Sequence, residues 1–231
     1  MLAAASAMPG LPARIDFISA RFLGVSYGAS TLIGSPEVPE VLVINLQEVD
    51  CFTYLDYVES MRLSRTFSEF RFHLRRLRYK SGKVAYGARR HFFTDWAASV
   101  RVQDVTGAIG GERATAVSKT LNRKGGGSIL PGIPPIGRKI VFIPADRLDA
   151  WALDGLRTGD YVGIYAPAEG LDVSHVGICI RRENRILLRH ASSIAQKVID
   201  QDFKPYIEGK PGIVVLRPRT PASPAFAPRP S

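Results

Sequence analysis

Cysteine and histidine are scarce in this chain, whose 231 residues hold two cysteines and four histidines. Two cysteines cannot build the disulfide framework of a small secreted scaffold. There is no CxxC pair and no HExxH motif, the usual spacings for zinc, so no metal is expected. The glycine-rich stretch Lys124-Gly125-Gly126-Gly127-Ser128 lacks the Gly-Lys-Ser/Thr ending of a phosphate loop, and no cofactor is expected. No apolar run approaches the roughly 20 residues of a membrane-spanning helix. Internal repeats are missing. Acidic residues are outnumbered, 21 against 31 Lys and Arg, for a formal net charge of +10. That balance favours polyanions, yet no nucleic-acid-binding motif accompanies it, and nucleic acid is not the expected partner. The densest basic run, residues 71–83, reads as the solvated side of a helix, with Phe67, Phe70, Leu74 and Leu77 opposite and Thr66-Phe67-Ser68-Glu69 as a capping box.

What is present suffices for the core of one domain, since 45% of the residues are hydrophobic. Helices are expected over 14–23, 51–61, 66–77, 94–102 and 145–156, with Gly24 closing the first. Strands are expected over 41–46, 139–143, 161–166, 174–180, 186–190 and 213–217. That order describes an α+β fold whose helical N-terminal half packs on a small antiparallel sheet. Residues 1–13 read as a disordered start or a signal-peptide remnant, 14–218 as a single domain, and the Pro-rich 219–231 as a disordered tail. Residues 124–135 read as a long mobile connection.

Chemistry concentrates at Asp50-Cys51-Phe52-Thr53. From Cys51 onward Phe52, Leu55, Val58 and Met61 recur near helical spacing, which puts Cys51 at a helix N-terminus with Asp50 as N-cap. Unpaired N–H groups and the helix dipole favour thiolate there, and thiolate is the nucleophile. The Cys51 N–H is a candidate oxyanion donor. Downstream, residues 174–181 and 185–191 are β-rich runs around polar Arg182-Glu183-Asn184, which reads as a hairpin. A turn centred on Arg182-Glu183 sets His175 directly opposite His190 and gives His175, Gly177 and Cys179 one face with Ile186, Leu188 and His190. Cys51, His175 and His190 then supply a nucleophile, a base and a group that orients the base. Cys179, between Ile178 and Ile180, reads as a small buried hydrophobe, and His73 as a surface residue. His91 opens the aromatic segment His91-Phe92-Phe93-Thr94-Asp95-Trp96, where Asp95 beside Trp96 suits a sugar ring, although a buried tryptophan is ordinarily a packing residue.

The order of these motifs resembles a known group. Asp50-Cys51, then Ser174-His175-Val176-Gly177, then Arg189-His190-Ala191-Ser192, is similar to the NlpC-type cell-wall peptidases of the papain-like superfamily. A longer set resembles the N-acetylmuramoyl-L-alanine amidase-like branch: Arg14-Ile15-Asp16, Phe22-Leu23-Gly24, Asn45-Leu46, Val49 to Thr53, His91 to Trp96, Gly159-Asp160-Tyr161, Gly170 to His175 and Arg189 to Ser193. The resemblance implies a papain-like NlpC-type fold and a peptidoglycan amidase that cuts between the muramyl lactyl group and L-alanine. Cleavage between D-glutamate and the diamino acid, acyl transfer by the thiol, and non-catalytic envelope binding are the alternatives. It implies further that Tyr27 lines the cleft and that Asp50, Asp95, Trp96 and Ser174 contact substrate. The partner would be muropeptide or peptidoglycan, met by a monomer in the periplasm or cell envelope. Members of such families are usually exported, whereas residues 1–10 lack a complete signal peptide. Lys119, Leu121 and Asn122 belong to the resembling set without an evident role.

Overall fold

The computed structural model of the chain describes residues 1–98, 101–183 and 185–220. Residues 1–13, read as a disordered start or a signal-peptide remnant, hold helix α1 (Leu2–Ser6) and the start of α2 (Gly10–Ala20). Ala5, Ile15 and Ile18 are buried there, and Arg14 donates to the carbonyls of Ser6 and Arg62, so packing offsets the entropy of ordering this segment. Strands β1 (Ser26–Tyr27) and β2 (Glu48–Val49) pair in parallel and lead into α3 (Cys51–Arg62) and α4 (Phe67–Arg78). Next come β3 (Val102–Asp104), α5 (Thr106–Gly110), β4 (Thr115–Leu121), β5 (Arg123–Lys124), β6 (Gly127–Ser128) and β7 (Ile136–Pro144). The chain ends with α6 (Ala150–Gly155), β8 (Tyr161–Tyr165), β9 (Val173–Arg182), β10 (Arg185–Ser192), β11 (Lys197–Asp202), α7 (Phe203–Ile207) and β12 (Gly212–Pro218).

The fold is mixed α+β, but the sheet is large where a small one was expected. Ten strands join in the order β2-β1-β11-β10-β9-β8-β12-β7-β4, with β3 also on β12. Side chains alternate between two cores, as the pleat requires. Val176, Ile178 and Ile180 of β9, with Val214 and Leu216 of β12, turn toward α2, α3 and α4. Cys179, Leu188, Val162, Ile164, Ile213 and Val215 turn the other way, toward Ile109 of α5 and Phe203 and Ile207 of α7.

Several local expectations change. Residues 41–46 are irregular and partly exposed, because β2 takes the place beside β1 and leaves them no strand to pair with. Their backbone is held by side chains instead: Arg78 Nη1 donates to Val43 O, and the Asn45 N–H donates to Tyr57 Oη. The helix expected over 94–102 is a 3-10 turn, Phe93–Ala98, before β3. The one over 145–156 breaks into a 3-10 turn, Ala145–Arg147, and α6, which Asp149 caps through the Ala152 N–H. On α4, Phe70, Leu74 and Leu77 are buried while Phe67 is exposed, and Arg78 turns inward to pair with Asp56 at 2.8 Å. Gly24 follows α2 at φ +84° but lies past its last turn.

Residues 124–135, expected to be mobile, include the β5–β6 hairpin. Asn122 is fully buried at φ +65°, and its carboxamide holds Leu130 N–H, Leu130 O and Ile133 O. Lys119 Nζ donates to the carbonyls of Ala166 and Ala168, and Leu121 is core. Of the Pro-rich tail, residues 221–231 lie outside the described residues. No helix among the described residues is long and apolar enough to cross a membrane.

Candidate active site

The N-terminus of α3 is fixed by a reciprocal cap. Asp50 Oδ1 accepts from the N–H of Phe52 (2.9 Å) and Thr53 (2.6 Å), while Thr53 Oγ1 accepts from the Asp50 N–H (3.0 Å). Such caps contribute about 1 kcal/mol each and leave no doubt where the helix begins. Cys51 is therefore its first residue, and the Asp50 carboxylate is engaged by the helix itself.

The β9–β10 hairpin pairs Arg182 with Arg185 and Ile178 with Arg189, two residues away from the expected register. Gly177, in place of His175, stands across from His190. A Cβ at Gly177 would lie 3.0 Å from His190 Cβ and 2.7 Å from Leu188 Cδ1, so the missing side chain is what admits the imidazole. A shift of two preserves which face each residue occupies. The two rings consequently meet on the diagonal: His175 Nε2 lies 2.7 Å from His190 Nδ1, with the ring planes nearly perpendicular.

The β9–β10 ladder ends at Ile178 and Arg189, while β10 continues beside β11 to Ser192 and β9 beside β8 to Val173. Past that end, the Val176 N–H comes near Cys51 and favours its thiolate. The residue before Val176 is His175.

Electrostatics here oppose the expectation of a resting thiolate. Burial, then the Asp50 carboxylate, push the Cys51 thiol up to about 11, against the pull of the Val176, Cys51 and Phe52 N–H groups. Burial, then His190 and the Lys210 ammonium, take His175 down to about 4. His190 is also lowered by burial, with a hydrogen bond to Gln201 and the charge of Asp200 acting the other way. The resting pair near neutral pH is a thiol and a neutral imidazole.

Tyr27 comes to the same place, its phenol raised by burial and then by the charges of Cys51 and Asp50. Ser174 is exposed at the bulge opposite Ile164 and Tyr165. Asp95 and Trp96, expected in contact with a sugar, are not at the surface. Trp96 has no exposed area and lies against Tyr161 (5.4 Å) and Phe52 (5.6 Å), so neither ring face is open to stacking. Asp95 is buried in an ion pair with Arg138 at 2.8 Å. His91 Nε2 is bound to Tyr86 O, and half-buried His73 accepts from Arg101. No three His, Cys, Asp or Glu side chains among the described residues are grouped to hold a metal.

Three further side chains at the site are not marked by any motif of the sequence. Tyr206 of α7 has its ring 5.2 Å from that of His190 and 6.4 Å from that of His175. Burial, then the charge of Cys51, raise its phenol to about 12. Lys210 lies over the Tyr206 ring at 5.6 Å. Gln201 of β11 places Oε1 3.2 Å from His190 Nε2. The β-branched pair Val198-Ile199 could suggest β11 as a further strand of the meander; α7 is too short for periodicity to mark.

Cys179 has no exposed surface, and burial raises its thiol to about 12. Iodoacetamide is expected to alkylate half-buried Cys51 first, slowly at neutral pH and faster as the pH approaches 11. Peptide mapping reads the result. Equal labelling, or labelling of Cys179 alone, would place the reactive thiol elsewhere.

A sequence model of the N-acetylmuramoyl-L-alanine amidase-like family matches residues 17–213. Among solved structures the chain is similar to an N-acetylmuramoyl-L-alanine amidase from Bacteroides uniformis, at 27% identity and a TM-score of 0.74, over 89% of this chain and 98% of that one. It is also similar in fold to LPG0564 of Legionella pneumophila, at 22% identity and a TM-score of 0.78, over 90% of this chain and 88% of that one. No protein of curated function matches the chain. With the family's model covering most of its length, from residue 17 to residue 213, the chain belongs to the N-acetylmuramoyl-L-alanine amidase-like family.

Proposed function

We infer that the protein is a cysteine-dependent peptidoglycan amidase that hydrolyses the bond between N-acetylmuramic acid and L-alanine in muropeptides. Family membership supports amidase chemistry on peptidoglycan, and the Bacteroides uniformis neighbour is named for that reaction. The observation that carries the thiol mechanism is the meeting at one strand end of Cys51 Sγ, the Val176 N–H beside His175, and the His175–His190 contact at 2.7 Å. A helix-start cysteine beside histidines on an antiparallel sheet is the arrangement expected of papain-like NlpC-type hydrolases, and the fold is read as one of them, with residues 14–218 as one amidase domain.

In this reading His175 acts as general base on a thiol that is protonated at rest. As Sγ attacks the lactyl carbonyl carbon, the S–H proton passes to His175 and negative charge gathers on the carbonyl oxygen. The N–H groups at the start of α3 face that charge, a contribution on the order of 100- to 1000-fold in rate. Collapse breaks the C–N bond, and His175 returns the proton to the leaving L-alanyl amine. Water, deprotonated by His175, then cleaves the thioester to the lactyl carboxylate and the free thiol. His190 holds the base in orientation, and Tyr27 lines the cleft. The net charge of +10 suits an anionic extracytoplasmic envelope, where a monomer would meet its polymer.

Incubation with defined muropeptides, with products identified by mass, tests the reading. Free amino sugar and an intact stem peptide beginning with L-alanine are expected. Fragments cut between D-glutamate and the diamino acid would replace it with an endopeptidase, and unchanged muropeptide would replace it with a binding domain.

A further inference from the structure

Beyond the cysteine and two histidines, the hydrogen-bond chain continues one residue further. His175 Nε2 lies 2.7 Å from His190 Nδ1, and His190 Nε2 lies 3.2 Å from Gln201 Oε1. Gln201 sits on β11 opposite Leu188, two residues beyond Ile199, which pairs with His190, so its side chain shares the face of both. A carboxamide oxygen only accepts, which places the His190 proton on Nε2. Nδ1 of His190 is then a bare acceptor, and the proton of the shorter contact belongs to His175 Nε2. The lone pair of His175 is left on Nδ1, the other ring nitrogen and the one not spent on His190.

We propose that Gln201 is a positioning residue whose carboxamide oxygen selects the tautomer of both imidazoles and so holds the His175 lone pair on Nδ1 for the Cys51 thiol. The proposal rests on the thiol-amidase reading given above. The other charged and titratable groups around the pair are Tyr206 and Lys210, Cys51, and Asp200. Both Asp200 oxygens are held by Arg189, at 2.7 and 2.8 Å, which leaves the neutral carboxamide as the acceptor at Nε2. A neutral acceptor fixes the proton's place without adding a charge that would favour imidazolium, and a base must stay neutral until the thiol proton arrives.

The test combines two-bond 1H–15N spectra of the histidines in the full-length protein near pH 7 with turnover of muropeptide. In the unmodified protein His175 is expected as the Nε2–H tautomer. Gln201→Met keeps the length of the side chain and removes the acceptor; it should mix the tautomers and lower kcat about 10- to 100-fold, with KM little changed. Gln201→Glu restores an acceptor and should keep the Nε2–H tautomer. Because Gln201 is exposed, the melting temperature of each variant should stay near that of the unmodified protein. An Nδ1–H tautomer of His175 in the unmodified protein, or a Gln201→Met enzyme with unchanged spectrum or unchanged kcat, overturns the proposal. The spectra are recorded without substrate, so cleavage at a different bond would revise the proposed function and leave the tautomer result standing.

Discussion

Cys51→Ala is expected to lower kcat on muropeptide by roughly 10⁴- to 10⁶-fold, and His175→Ala by a similar factor, because neither the attack nor the proton transfer has a second provider. The double variant should be little worse than either single one, since groups that act as a unit cannot each be removed independently. His190 stands one step back. In the proposed mechanism it accepts from His175 and does not itself carry the transferred proton, so His190→Asn, which keeps a polar group, should retain measurable activity while His190→Ala loses more. Steady-state kinetics with melting curves as a control decide the matter. A His190→Ala enzyme as fast as the unmodified protein would remove His190 from the site, and full activity in Cys51→Ala would end the thiol mechanism.

Arg62→Met is expected to destabilise the fold by about 3–5 kcal/mol, the usual result of stripping the counter-charge from a buried carboxylate. Glu59 and Arg62 of α3 have side chains 0% and 2% exposed, and Glu59 is held through both oxygens by Arg62 and through one by the Tyr161 hydroxyl at 2.7 Å. After the substitution, the Tyr161 hydroxyl and the charge of Arg101 would remain about the carboxylate. Removing both charges in Glu59→Leu/Arg62→Met should recover much of the loss, because the desolvation of both ions disappears with them. Urea unfolding at neutral pH measures both, and an unchanged midpoint in Arg62→Met would mean that water reaches the pair.

The elements closest to the chemistry were the most legible. The start of α3 is written in four consecutive residues, Asp50 to Thr53, because capping is a local hydrogen-bond pattern. β9 and β10 were legible from β-branched content, and the faces of His175 and His190 followed from alternation alone. The register was not, because pairing Arg182 with Arg185 and pairing His175 with His190 differ by nothing that hydrophobic pattern records. Residues 41–46 show the converse: an apolar run looks like a strand until the sheet offers it no partner. The ionisation of Cys51 was misjudged for another reason. Helix position is local and visible in sequence, whereas the burial that outweighs it comes with the packing of α3 on the sheet, whose strands β9 and β10 lie more than a hundred residues downstream.

That resting protonation has a consequence for the lifetime of the protein. Oxidation of cysteine to sulfenic and higher acids proceeds through the thiolate, so susceptibility follows the thiolate fraction and exposure. At neutral pH a thiol held near 11 is almost wholly protonated, and peroxide or disulfide finds little to react with. The carboxylate of Asp50, which begins the helix, also helps keep the sulfur in this dormant form. In the proposed mechanism, reactivity is released where a substrate carbonyl and His175 act on Cys51 together, so the resting sulfur offers an oxidant little thiolate.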